Sequence, residues 1–109
     1  MRLRERDKRC VNVFRPEGAD EDVYRWGECY EIRAAVYPNR RSIDAKVYGD
    51  RIRETQLMLY DGDLLRLDVG MGVSMDGDVP AWRIASVERW DHQTAVLERI
   101  PEGRRGDAD

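Results

Sequence analysis

Histidine and cysteine are nearly missing from this chain: His92, Cys10 and Cys29 are all it has among 109 residues. A tetrahedral zinc site takes about four ligands, and these three, with no CxxC spacing, cannot supply a Cys/His set from within the chain. The thiols are expected to be reduced, as in an intracellular protein, while a Cys10–Cys29 disulfide would require their strands to pair. Long apolar runs are missing too, and no stretch approaches the roughly 18 residues of a membrane-spanning helix. Residues 1–9 are charged and have no apolar h-region, which reads against a secretion signal. Charge of one sign is not in excess: 19 Lys and Arg meet 22 Asp and Glu for a net −3. Whole-chain electrostatics therefore would not drive tight binding to nucleic acid, although local patches remain open.

The charged fraction is 38%, well above the roughly 25% usual for a globular domain, and the hydrophobic fraction of 41% still supports folding. A chain of this length fits one domain with one modest core. Its apolar residues recur at the period of strands. Residues 10–14 read as a first short strand stopped by Pro16, followed by an acidic loop at 17–22. A second strand starts at Tyr24 to Trp26, with Gly27 as a break or bulge. Over 28–37, Tyr30, Ile32, Ala34 and Val36 fall on one face and Glu31, Arg33 and Tyr37 on the other. Pro38-Asn39 ends that strand. Residues 56–60 resume with a strand that turns at Asp61-Gly62. Leu64, Leu65 and Leu67 lead into a strand at 69–75, where Val69, Met71, Val73 and Met75 alternate with Gly70, Gly72 and Ser74. Strands at 82–90 and 94–100 are joined at Asp91-His92-Gln93. In the first of these, Trp82 and Ile84 share a face that Val87 leaves, so a bulge at Ala85 or Ser86 is expected.

The segment between the strands, about residues 39–55, is the hardest to place. Ile43 and Val47 share a helical face, as do Tyr48 and Ile52. Gly49 weakens a helix there by about 1 kcal/mol relative to alanine, and Ser42 has no Glu or Gln three residues on to complete a capping box. The segment reads as a long excursion, part loop and part extended strand. Residues 2–9 read as a mobile arm or edge segment, and 101–109 as a disordered tail. The expected fold is all-β: a small barrel or sandwich of six to seven strands within a single domain at 1–100, with flexible termini.

No constellation carries recognisable chemistry. Gly70-Met71-Gly72 lacks the third glycine of a dinucleotide fingerprint, because Met75 stands there and a turn follows. Asp61-Gly62-Asp63 fails the spacing of a calcium loop at Leu65, Arg66 and Gly72. Asp91-His92 sits in a turn without a nucleophile context, and an exposed turn histidine is the plainer reading. No cofactor, no metal and no enzymatic activity are expected. What remains is surface. Arg40, Arg41, Lys46, Arg51 and Arg53 concentrate positive charge on the excursion, for phosphates or an acidic neighbour, or simply for solvent. Tyr24, Trp26 and Trp90 lie beside charged residues and suit either a core or a protein interface.

Four strings carry a resemblance: Glu31-Ile32-Arg33-Ala34-Ala35-Val36-Tyr37-Pro38, Leu59-Tyr60-Asp61-Gly62, Trp82-Arg83-Ile84-Ala85-Ser86-Val87, and Thr94-Ala95-Val96-Leu97-Glu98-Arg99-Ile100. In this order, after the charged opening Leu3-Arg4-Glu5-Arg6-Asp7-Lys8-Arg9, the chain resembles the head–tail joining proteins of long-tailed bacteriophages, also called head closure, stopper or minor capsid proteins. The likeness covers residues 3–100. It implies a small β-barrel that assembles into a homo-oligomeric ring between the portal–adaptor proteins and the tail terminator or tail tube proteins. Genomic DNA would pass through the channel, and no membrane is involved. The protein would reside in the virion connector, and in the host cytoplasm during assembly. The long loop after the Val-x-Pro-like motif would project toward the channel; here it is 39–55, and Asn39-Arg40-Arg41 replaces the glycine that often follows the proline. On this reading Arg40, Arg41, Lys46, Arg51 and Arg53 lie near the channel, and Tyr24, Trp26, Trp90, Arg4 and Arg6 serve contacts between subunits or rings. Two alternatives stand beside it: a tail-completion or terminator ring protein, and a monomeric nucleic-acid-binding barrel using Tyr48 or Tyr60 as stacking platforms.

Overall fold

A computed structural model describes residues 3–20, 23–77 and 79–106. Six antiparallel strands close into a barrel in the order β1-β2-β3-β6-β5-β4. They are β1 Arg9–Asp20, β2 Val23–Pro38, β3 Thr55–Tyr60, β4 Gly72–Ser74, β5 Trp82–Arg89 and β6 Gln93–Arg99. The all-β expectation therefore holds, in its barrel form. Closure removes free strand edges, leaving the ends, the outward faces and the connections as the surfaces the molecule presents.

The alternation read from the sequence builds the interior. Val11 and Val13 of β1, Ile32 and Ala34 of β2, Met58 and Tyr60 of β3, Val73 of β4, Ile84 of β5, and Ala95 and Leu97 of β6 form one core, with Tyr30, Val36, Trp82 and Val87 packed against it. The phase break in β5 is resolved as expected, by a register shift between Ile84 and Ser86. That shift returns Val87 to the core.

Three stretches differ from the sequence reading. First, β1 does not stop at Pro16. It runs on to Asp20, with register breaks on both sides of the proline, since a proline is tolerated where the ladder is already interrupted. Residues 21 and 22 of the expected acidic loop lie outside the described residues. Second, the strand expected at 69–75 shortens to Gly72–Ser74. The residues before it cross to a non-neighbouring strand and bring Leu65, Leu67 and Met71 into the core. This irregular backbone is satisfied by side chains: Gln93 accepts from the Leu67 N–H at 2.7 Å and donates to the Leu65 carbonyl at 2.9 Å. The Arg89 guanidinium donates to the Leu67 carbonyl and to Asp68. Third, the excursion is helical, with α1 at Ser42–Tyr48 followed by a 3₁₀ segment at Gly49–Glu54. Gly49 ends α1 with φ +58°, a value that favours glycine.

A second apolar cluster sits apart from the barrel core. It holds Phe14, Trp26 and Ile100, with Tyr24 packed on it. Gly72 lets it close down: a Cβ there would lie 2.8 Å from both Trp26 Cζ3 and Pro80 Cβ. The Trp26 indole N–H donates to the Arg105 carbonyl at 2.9 Å, and Arg105 Nε donates to the Ile100 carbonyl at 2.9 Å. Composition gave no reason to expect residues 101–106 to make these contacts; residues 107–109 lie outside the described residues. The opening segment is likewise tied down rather than loose. The Leu3 N–H donates to Asp61 at 2.9 Å, and Lys8 Nζ lies 2.9 Å from the same carboxylate.

Candidate functional site

The most informative surface is the excursion, because its helix is turned inside out. Asn39 and Thr55 pinch its base, with the Asn39 N–H donating to the Thr55 carbonyl at 3.3 Å. From there α1 lies along the outward face of the barrel. Leu97 points into the core, so Glu98 points out; the same parity argument makes Glu88 outward beside Val87. Arg41, just before α1, donates to Glu88 at 3.2 Å, and Tyr48, its last residue, donates to Glu98 at 2.6 Å. Glu88 pairs with Thr94. The four steps from Thr94 to Glu98 span about 13 Å of strand, and the seven steps from Arg41 to Tyr48 rise about 10 Å in a helix. The two anchors thus tie the two ends of the helix to β5 and β6. Val96, between Thr94 and Glu98 on β6, is only 1% exposed.

The face of α1 toward the barrel is polar. Arg41, Asp44 and Tyr48 are half-buried, and Arg41 Nε also donates to Asp44 at 2.6 Å. The apolar pair Ile43 and Val47 faces water, 63% and 77% exposed. This reverses the ordinary arrangement of a surface helix. The helix is held by charge-assisted bonds to two outward carboxylates rather than by apolar burial. Burial works against the Arg41 charge, but Asp44 and Glu88 outweigh it and raise the guanidinium above its usual range. Burial, then the Glu98 carboxylate, pushes the Tyr48 hydroxyl up to about 12, so the phenol stays a donor at neutral pH.

The five basic residues assigned to the excursion divide into two groups. Arg41 is committed to Asp44 and Glu88, and Arg51 lies 3.7 Å from Glu54. Arg40 and Arg53 are exposed and line one cavity of about 480 Å³ together with Asn39. Lys46 is exposed on α1. The residues assigned to interfaces divide as well. Trp26 is 8% exposed inside the second cluster, and Tyr24 stacks on it with ring centroids 5.5 Å apart. Within the monomer both serve internal packing, with Arg104 and Arg83 lying over the Tyr24 ring. Trp90, at the β5–β6 turn, is 90% exposed. Arg4 and Arg6 are exposed beside and within the 3₁₀ turn Glu5–Asp7.

Sequence reasoning missed Leu64, which is 87% exposed in the β3–β4 connection; an exposed leucine carries no periodic signal there. His92 is half-buried, with its Nδ1 buried and unpartnered among the described residues, rather than an exposed turn residue. Of the two stacking platforms expected for a nucleic-acid barrel, Tyr60 is 3% exposed in the core, while Tyr48 is half-buried with its hydroxyl donating to Glu98. Cys10 and Cys29 form no disulfide and are both exposed. They do not face each other in the β1–β2 ladder, where Cys10 pairs with Arg33 and Cys29 with Phe14. No helix among the described residues is long and apolar enough to cross a membrane. No family model, curated protein or solved structure matches the chain.

Proposed function

We propose that this chain is a structural ring subunit of the head–tail connector of a long-tailed bacteriophage, working by contacts between copies and between rings. The observation that carries the reading is the inverted helix: α1 spends its polar face on the barrel and offers Ile43 and Val47 outward. Trp90 and Leu64 offer further apolar surface from other connections. Single exposed apolar residues are ordinary, but a helix that reverses its amphipathicity is built for a neighbour. Contact surfaces on different elements suit heterologous, head-to-tail association, which closes into a ring when the rotation permits.

On this reading the mixed charge around the patches sets register between neighbours more than affinity. The free arginines at the base of the excursion, Arg40 and Arg53, face the channel or its rim. The order of the four sequence strings supports the phage assignment, and the barrel fold agrees with it. The portal–adaptor side, the tail side and the DNA are the partners it implies, in the virion and in host cytoplasm during assembly. Negative-stain electron microscopy of the concentrated full chain, alone and with a portal–adaptor complex, tests the proposal. Annular particles with an open centre are expected; a field of separate small particles in both samples argues against it.

A further inference from the structure

We propose that the cavity at the base of the excursion is a binding site for a phosphate group. The cavity, about 480 Å³, is lined by Asn39, Arg40, Ala45, Ile52, Arg53 and Thr55, with Pro38. Asn39 is 4% exposed, and its Nδ2 is buried with no hydrogen-bond partner among the described residues. The orientation of that amide is fixed by chemistry: Oδ1 accepts from the Arg41 N–H at 3.1 Å, so the atom left over is the donor. A buried donor without an acceptor is costly, and native structures seldom leave one without a reason.

Of the carboxylates of the excursion, Asp44 is engaged with Arg41 and Glu54 with Arg51, while Asp50 is exposed and does not line the cavity. Arg40 and Arg53 make no ion pair among the described residues, in contrast to those two arginines. Two forked cations on the cavity, with the Asn39 amide donor buried in its wall, match a tetrahedral oxyanion better than a planar carboxylate with two oxygens. Ile52, Ala45 and Pro38 add an apolar side, which leaves room for an organic group carrying the phosphate. The Thr55 hydroxyl is spent on the Ile52 carbonyl at 2.7 Å, which fixes the rim rather than adding a ligand. The site shares two arginines with the channel reading but rests on the cavity and the orphan amide, so it stands or falls without the ring.

The test is an amide-resolved NMR titration of the full chain with inorganic phosphate, thymidine 5′-monophosphate and the dinucleotide TpT, against chloride at equal ionic strength. Asn39→Asp keeps the acceptor for the Arg41 N–H and replaces the orphan donor with a negative charge. Arg40→Gln/Arg53→Gln removes two exposed charges. Arg51→Gln, which removes a cation outside this cavity, is the control. Saturable shifts confined to residues 39–41, 45 and 52–55 are expected. Both cavity variants should weaken binding roughly tenfold or more, as loss of a hydrogen bond to a charged group does, with the control nearly unchanged. Tighter binding of the nucleotides than of inorganic phosphate identifies a nucleotide or strand as the source, and binding of inorganic phosphate alone identifies the free anion. Absence of saturable shifts, or shifts spread over the basic surface that the Arg51 variant reduces equally, overturns the site whatever the assembly state.

Discussion

The Tyr48 hydroxyl donates to Glu98 Oε1 across 2.6 Å, fastening the end of α1 to the outward face of β6. Removing it by Tyr48→Phe should cost about 1.5–3 kcal/mol, the usual net value of a hydrogen bond to a charged group. The pH dependence follows from the sign of the shift. The folded tyrosine titrates near 12, above its ordinary value near 10. Its contribution is therefore fully present below about pH 10 and is lost as pH rises toward 12. Denaturant melts of the wild type and the variant should differ at neutral pH and converge over that alkaline window. A gap that stays constant through it would mean that the hydroxyl is not the group responsible.

Gly72 is set by contact, not by turn geometry. Gly72→Ala places a methyl against Pro80 and Trp26 at 2.8 Å and should destabilise by about 1–3 kcal/mol, the typical range for overpacking. A Cβ at Gly103 meets nothing within 4 Å, so Gly103→Ala should stay within about 0.5 kcal/mol of wild type. Thermal melts of the pair check the second cluster directly.

Two tryptophans separate folding from association. Trp26→Ala should cost about 3–5 kcal/mol, because it empties a buried site and frees the Arg105 carbonyl. Trp90→Ala should leave the melting temperature near wild type, since its ring is exposed. If association depends on Trp90, as proposed, the same variant shifts the oligomer distribution in cross-linking. A Trp90→Ala chain that melts early would place that ring in the fold after all.

The Lys8–Asp61 pair predicts behaviour in acid. The hydrogen bond from Lys8 lowers the Asp61 carboxyl below its ordinary value, outweighing desolvation, with help from the Leu3 N–H. A lowered carboxyl adds stability that is complete above its unfolded pKa and fades as pH falls through the folded one. Asp61→Asn should therefore destabilise at neutral pH and flatten the acid limb of the stability profile. Loss of amide protection at Leu3 in the same variant ties the effect to the opening segment.

The barrel was legible because its signal is local. Tyr30, Ile32, Ala34 and Val36 alternate in the chain and line one face in the fold, and the slip between Ile84 and Val87 could only be repaired by a bulge. The excursion was not legible because its pattern means the opposite of the usual one. Ile43 and Val47 mark a helix correctly, but an apolar stripe is read as the buried face, and here Arg41 and Tyr48 find carboxylates contributed by β5 and β6, about 50 residues away in sequence. Trp26 was ambiguous for a similar reason: Phe14 reaches it across the β1–β2 ladder, but Ile100 and the Arg105 carbonyl come from the far end of the chain. The basic residues were legible as a group, but not their division into paired and free, which depends on where the helix turns them.

Sedimentation velocity on the full chain from micromolar to millimolar concentration, beside Ile43→Glu/Val47→Glu and Trp90→Glu variants, decides most directly whether contact between copies is this protein's work. A discrete closed oligomer is expected for the wild type, alone or on an added portal–adaptor complex, and monomers for variants that melt at the wild-type temperature. A wild-type chain that sediments as a monomer across the whole range both alone and beside that complex, indistinguishable from both variants, contradicts the account.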